Sequence, residues 1–149
     1  RQKTQKLKKP KILCVEWIDP LMAAGNWIPE MTRIAGGKDI LGKIGVDSHW
    51  IKFEDIQKQD PDFIIFIPCG FNLEKTKEEV IKLVNKNKNW KELKAFKNKN
   101  FYVTDGNQYF NRPGPRLIDS IEILAEIFHA DKFNFGHKNI GWINFFDNK

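Results

Sequence analysis

Two apolar runs interrupt an otherwise mixed chain: Ile12-Leu13-Cys14-Val15 and Phe63-Ile64-Ile65-Phe66-Ile67. A strand with one face in water alternates apolar and polar residues, whereas a strand covered on both faces has no polar position. Both runs are short for helices, and their β-branched and aromatic content favours strands, the first over Lys11 to Trp17. Phe101 to Thr104 reads as a third strand, closed by Asp105-Gly106. Between the strands the apolar period lengthens. Trp27 to Ala35 places Ile28, Met31, Ile34 and Ala35 at helical spacing, with Pro29 in the first turn and Gly36-Gly37 at the end. Phe53 to Gln59 predicts a short helix with Phe53 and Ile56 inward, stopped by Asp60-Pro61. Leu73 to Asn85 predicts a longer helix capped by Asn72, with Leu73, Val80, Ile81 and Val84 on its inner face. Trp90 to Phe96 makes a brief helical turn. Pro115 opens a last helix that buries Leu117, Ile121, Leu124 and Phe128, with Ile118 and Ala125 alongside.

Strands alternating with helices predict an α/β fold with right-handed crossovers: a three-layer αβα lobe with a small, mostly parallel sheet. An extra strand is expected within Lys38 to Trp50, which shows no clear period. Three segments follow. Residues 1–9 read as the end of a longer helix stopped by Pro10, residues 10–131 as the α/β lobe, and residues 132–149 as an aromatic tail. Phe133, Phe135, Trp142, Phe145 and Phe146 give that tail reason to pack on something.

Composition narrows the function classes. A chain of 149 residues with 41% hydrophobic content supports one domain with its own core. No apolar run approaches membrane-crossing length, and no secretory signal pattern stands at the start; a chain beginning at Arg1 reads as a processed or trimmed product. Arg1, Lys3, Lys6, Lys8, Lys9 and Lys11 account for the whole net charge of +6, so the rest of the chain is balanced. A nucleic-acid face spread over the domain is therefore not expected.

In open α/β sheets, ligands bind in the crevice outside the carboxyl ends of the strands. Three loops leave those ends here: Trp17 to Gly25, Pro68 to Phe71, and Asp105 to Gly114. With His49-Trp50 they hold Trp17, Trp50, Phe71, Tyr109 and Phe110, plus one charge in Arg112. Any one of these aromatics by itself reads as core rather than as a ligand contact. Clustered in strand-end loops, they suit a large, partly apolar ligand.

Catalytic readings find less. Cys14 and Cys69 have no metal-like or redox-like spacing and read as small buried thiols. Cys69 nevertheless sits on a strand-to-helix loop, where a helix N-terminus lowers a thiol pKa, so the alternative is a small flavodoxin-like thiol enzyme using Cys69. An anion-clamping arginine six residues further on would support it, but Lys75 stands there. His49, His129 and His137 are scattered, so no metal site is expected, and no catalytic cofactor.

The succession Lys11-Ile-Leu-Cys-Val-Glu-Trp-Ile-Asp-Pro, Trp27-Ile-Pro-Glu-Met, Ala35-Gly-Gly, Asp60-Pro-Asp-Phe-Ile-Ile, Pro68-Cys-Gly-Phe and Arg112-Pro-Gly-Pro-Arg resembles the cobalamin and siderophore class of ABC-transporter substrate-binding proteins, most closely the cobalamin-binding members. These are periplasmic binding proteins of the helical-backbone type. The resemblance covers nearly all of Lys11 to Asp131 and matches the carboxyl-terminal lobe of that family. It implies two α/β lobes joined by one long helix, with Arg1 to Lys9 as the end of that helix and the ligand held between the lobes. It also implies a non-catalytic substrate-binding component of an ABC importer, periplasmic or extracellular, with cobalamin or a related corrinoid as ligand. An iron-siderophore or haem is the alternative. The implied partners are the transporter's membrane subunit and either an amino-terminal lobe or a second copy of the chain. Residue by residue, the resemblance puts Trp17, Gly70, Phe71, Tyr109, Phe110 and Arg112 beside the ligand, with Trp50 near a ligand-facing tryptophan of the family. Glu54, seven residues before Pro61, matches the glutamate with which this lobe docks on the membrane subunit.

Overall fold

The computed structural model describes residues 9–68, 70–106, 109–110 and 116–147, apart from the side chain of Arg116. The expectations placed on residues 1–8, Cys69, Arg112 and Pro115 lie outside the described residues. The elements run in the order β1 (Lys11–Trp17), β2 (Met22–Ala23), α1 (Ile28–Ile34), β3 (Lys38–Asp39), β4 (His49–Trp50), α2 (Phe53–Gln59), β5 (Phe63–Phe66) and α3 (Leu73–Lys86). A 3-10 helix (Lys88–Glu92), α4 (Lys94–Lys97), β6 (Phe101–Thr104), α5 (Arg116–Phe128) and β7 (Trp142–Asn144) complete it. Among the described residues, no helix is long and apolar enough to cross a membrane.

The two apolar runs lie side by side at the centre of the sheet. β1, β5 and β6 are parallel, pairing Ile12 with Phe63 and Ile64 with Phe101. Strand order is β4-β2-β1-β5-β6-β7, with β3 parallel to the start of β1 and β2 antiparallel to its end. Alternate residues of the central strands go to opposite faces. Ile12, Cys14, Ile65 and Tyr102 pack with Ile28 and Met31 of α1 and with Leu124 and Phe128 of α5. Leu13, Val15, Ile64, Phe66 and Phe101 pack with Ile56 of α2, Val80 and Val84 of α3, and Trp90. Burial on both faces explains why neither run tolerates a polar position, and it makes the lobe three-layered.

Two helix faces differ from the expected ones. Ile81 is 41% exposed and Ile118 is 66% exposed. On α3 the row at i, i+4, i+8 is Thr76, Val80 and Val84, which puts Ile81 about 100° away from the buried stripe. The buried run of α5 lies further along, at Ile123, Leu124, Ala125, Ile127 and Phe128.

The aromatic tail does pack, and it adds a strand. β7 runs antiparallel to β6, pairing Thr104 with Trp142 and Val103 with Ile143. A buried carboxylate holds it. Glu126 of α5 accepts the Trp142 indole N–H at 2.8 Å and the backbone N–H groups of Phe135 and His137.

Candidate functional site

At the carboxyl end of β1, Trp17 lies half-buried against Phe71, ring centroids 5.4 Å apart and tilted by 51°. Phe71 comes from the loop after β5. A turn brings it there: the Phe71 N–H donates to the Pro68 carbonyl at 3.3 Å, and Gly70 takes φ 81°, a left-handed conformation that side chains with a Cβ rarely adopt. The space around Gly70 is open, so the backbone rather than crowding calls for glycine there. Asn72 then starts α3, its Oδ1 accepting the Lys75 N–H at 2.9 Å, while the Lys75 ammonium sits 5.5 Å from the centre of the Phe71 ring.

Trp50 reaches the same end of the sheet by pairing. Trp17 lies opposite Met22, Met22 lies opposite Trp50, and a β-bulge before Trp17 shifts the register. Trp50 is 60% exposed. Its strand is anchored from below by a relay the sequence did not reveal: the Ser48 hydroxyl donates to Glu16 at 2.7 Å and accepts the Gly25 N–H at 2.9 Å. A Cβ on Gly25 would lie 2.6 Å from the Ser48 nitrogen, so that approach requires glycine. Glu16 belongs to the Glu-Trp-Ile-Asp-Pro motif, but nothing in its spacing points to a residue 32 positions away.

The loop after β6 is placed differently. Tyr109 (7% exposed) and Phe110 (1% exposed) sit in the core between α1 and α5. Phe110 has φ 71°, held by two contacts: its carbonyl accepts the Trp27 indole N–H at 2.6 Å, and its N–H donates to the Ser120 hydroxyl at 3.0 Å. The described part of the candidate wall is therefore Trp17, Trp50, Gly70 and Phe71, while Tyr109 and Phe110 are buried in the core. Glu54 is exposed in the first turn of α2, one helix onset after Trp50.

Chemistry elsewhere is muted. Burial pushes the Cys14 thiol far above its ordinary value, and the nearby Asp39 charge adds to that. Burial also raises the Asp39 carboxyl, against the pull of the Gly42 and Leu41 N–H groups that its Oδ1 accepts at 2.6 and 3.1 Å. Its other oxygen, Oδ2, is buried without a hydrogen-bond partner. His49 is exposed on β4, and the His129 ring lies 3.2 Å from the Gly36 carbonyl. Scattered though the three histidines are in sequence, His137 comes within 2.9 Å of Glu122.

Residues 1–108 match the family described as periplasmic binding protein, while no curated protein sequence matches the chain. Among solved structures, the chain is similar to an ABC transporter substrate-binding protein from Listeria monocytogenes EGD-e, with 21% identity and a TM-score of 0.73 over 85% of this chain and 50% of that one. It is similar to the periplasmic vitamin B12 binding protein BtuF of Vibrio cholerae, with 19% identity and a TM-score of 0.66 over 88% of this chain and 49% of that one. A periplasmic heme binding protein from Pseudomonas aeruginosa gives 20% identity and a TM-score of 0.67 over 87% of this chain and 46% of that one. The chain thus spans about half the length of these proteins, and the likeness is one of fold.

Proposed function

The chain belongs to the periplasmic binding protein family, and from that premise we propose that it is one lobe, the carboxyl-terminal one, of the substrate-binding component of an ABC importer, holding cobalamin or a related corrinoid without catalysis. The observation that carries this reading is the aromatic wall at the strand ends: Trp17 against Phe71, and Trp50 projecting 60% exposed from the next strands. Flat rings clustered at the strand ends offer stacking area with few fixed polar demands. A broad, partly apolar ring system fits such a wall. In this reading the protein works outside the cytoplasm, and Glu54 faces the transporter's membrane subunit.

The test is equilibrium dialysis of the 149-residue chain against cobalamin, haem and a ferric hydroxamate siderophore, each with and without Trp50→Ala. Saturable binding of cobalamin that Trp50→Ala weakens supports the proposal. Preference for haem or the siderophore transfers the wall to that ligand and overturns the corrinoid assignment. Binding of all three that ignores Trp50 overturns the site.

A further inference from the structure

We propose that Asp119, Glu122 and His137 form a divalent-cation site of the zinc class, built where the carboxyl-terminal loop folds back on α5. One ligand atom from each residue can be chosen so that all three lie within 4.8 Å of one another, and His137 Nε2 already stands 2.9 Å from Glu122 Oε1. Ligands on a tetrahedral zinc, at bonds of about 2.1 Å, stand roughly 3.4 Å apart, so side-chain rotation closes the remaining gap.

The parts are held by different means. Asp119 and Glu122 are three residues apart on one helix, which puts them on one face. His137 arrives from a loop tied to the same helix one turn further on. There Glu126 accepts the backbone N–H groups of Phe135 and His137 and the indole N–H of Trp142. Within that loop the Gly141 N–H donates to the His137 carbonyl at 2.8 Å and the Asn139 N–H to the Trp142 carbonyl at 2.8 Å. The imidazole also rests edge-on to Tyr109, ring centroids 6.4 Å apart. A ligand set held by a helix on one side and a braced turn on the other arrives preorganised, which a flexible acidic cluster does not.

The donor set selects the ion. One imidazole with two carboxylates suits zinc and similar first-row divalent cations, whereas magnesium and calcium prefer all-oxygen sets. All three residues are half-buried, and three protein ligands leave one tetrahedral position for water or an exogenous ligand. A bound ion would tie the loop before β7 to α5.

Tag-free chain is titrated with Co2+, followed by its visible absorption, and with Zn2+, followed by displacement of the cobalt band and by the thermal midpoint. Expected are one cobalt per chain, displacement by Zn2+, a raised midpoint, and no response to equal Mg2+ or Ca2+. His137→Ala and, as the gentler change, Asp119→Asn each weaken Co2+ binding at least tenfold, while His129→Ala and His49→Ala leave it unchanged. Asp119→Asn must keep the metal-free midpoint, so that lost binding cannot be lost folding. Absence of a band and of a midpoint shift overturns the site, as does a band that survives both His137→Ala and Asp119→Asn. A response to Mg2+ as strong as to Zn2+ overturns its assignment to the zinc class.

Discussion

Trp17 and Trp50 stand in one cross-strand row with Met22 between them, although 33 positions separate them in sequence. Two strand spacings put their backbones roughly 10 Å apart. Phe71 extends the row beyond Trp17. An apolar row of this length on the rim of the sheet serves the fold little at its exposed end, which makes it separable by mutation. Trp50→Ala should weaken binding of the proposed corrinoid by about 1–3 kcal/mol, as loss of an interfacial aromatic does, and leave the unfolding midpoint nearly unchanged. Trp17→Ala should cost both affinity and some stability, because its ring also covers Phe71. Urea unfolding beside dialysis separates the two. Stability loss at Trp50 with unchanged affinity would make it a structural residue.

Asp39 provides a pH test. Burial raises its carboxyl pKa in the fold above the ordinary 3.8, so the native state holds a proton that the unfolded chain has already released. Stability contributed by that group therefore falls as pH rises from 3.8 through the folded value, and the full penalty is present at neutral pH. Asp39→Asn removes the buried charge while keeping an oxygen to accept the Leu41 and Gly42 N–H groups. The variant should be more stable than the parent at pH 7, with the gain shrinking as pH approaches 4. Urea titrations at the two pH values check it, and a variant less stable at pH 7 would show the carboxylate to be better accommodated than its burial suggests.

The features written in local periodicity were legible. β1, α2 and β6 fall on the residues that the apolar pattern marks, because burial on both faces or on one stripe leaves a direct trace in sequence. β2 left none, since two residues cannot display an alternation; β3 and β4 fall at the two ends of Lys38 to Trp50, where an extra strand is expected but no period places it. β7 hid in a tail whose aromatics announce packing but not pairing. Ile118 and Ile81 show the limit of the helical period: apolar identity near a stripe is not membership in it. Glu126 shows the reverse. A glutamate in the last helix looks like solvent-facing charge until Trp142 and two backbone N–H groups are found aimed at it. Tyr109 and Phe110 were legible as site-loop aromatics, but the anchors that hold Phe110 in the core, Trp27 and Ser120, lie 83 and 10 positions away from it.

Glu126 should accordingly be a stability residue. Glu126→Ala strands the buried Trp142 indole N–H and two half-buried backbone donors, and opens space beneath the loop. Each unsatisfied buried donor costs about 1–3 kcal/mol where water cannot reach it, and partial relaxation should bring the total to about 2–4 kcal/mol. Glu126→Gln keeps one acceptor oxygen and should cost less. Equilibrium unfolding of both variants measures this; an alanine variant within 0.5 kcal/mol of the parent, about the spread of ordinary surface changes, would mean that water replaces the carboxylate.

Glu54 should behave in the opposite way. It is exposed in the first turn of α2. On the proposed reading it meets a cationic residue of the membrane subunit, a rim contact that tunes association more than ligand affinity. Glu54→Ala should leave ligand dialysis and the unfolding midpoint unchanged, while Glu54→Lys should lower complex formation with the cognate importer more than the alanine does. Unaltered complex formation by the lysine variant would remove Glu54 from the docking face.

The proposed sandwich geometry also sets the affinity of the chain by itself. The chain covers about half of each solved structure it matches. A ligand held between two lobes draws about half of its contacts from each, whereas the entropy lost on immobilising it is paid once. Contacts from one lobe must then offset the whole of that cost. If a two-lobe protein bound at about 10 nM, near −11 kcal/mol, halving the gross contact term would cost several kcal/mol and leave the chain at roughly 0.1 mM or weaker. Supplying the other half should restore affinity, whether it comes as a separate lobe or as a second copy whose exposed Trp50 closes over the same ligand. Affinity measured by dialysis should therefore rise with chain concentration if copies pair, and sedimentation should show the ligand driving that association. Submicromolar binding by a chain that sediments as a monomer at all concentrations would show that the single wall of Trp17, Trp50 and Phe71 suffices.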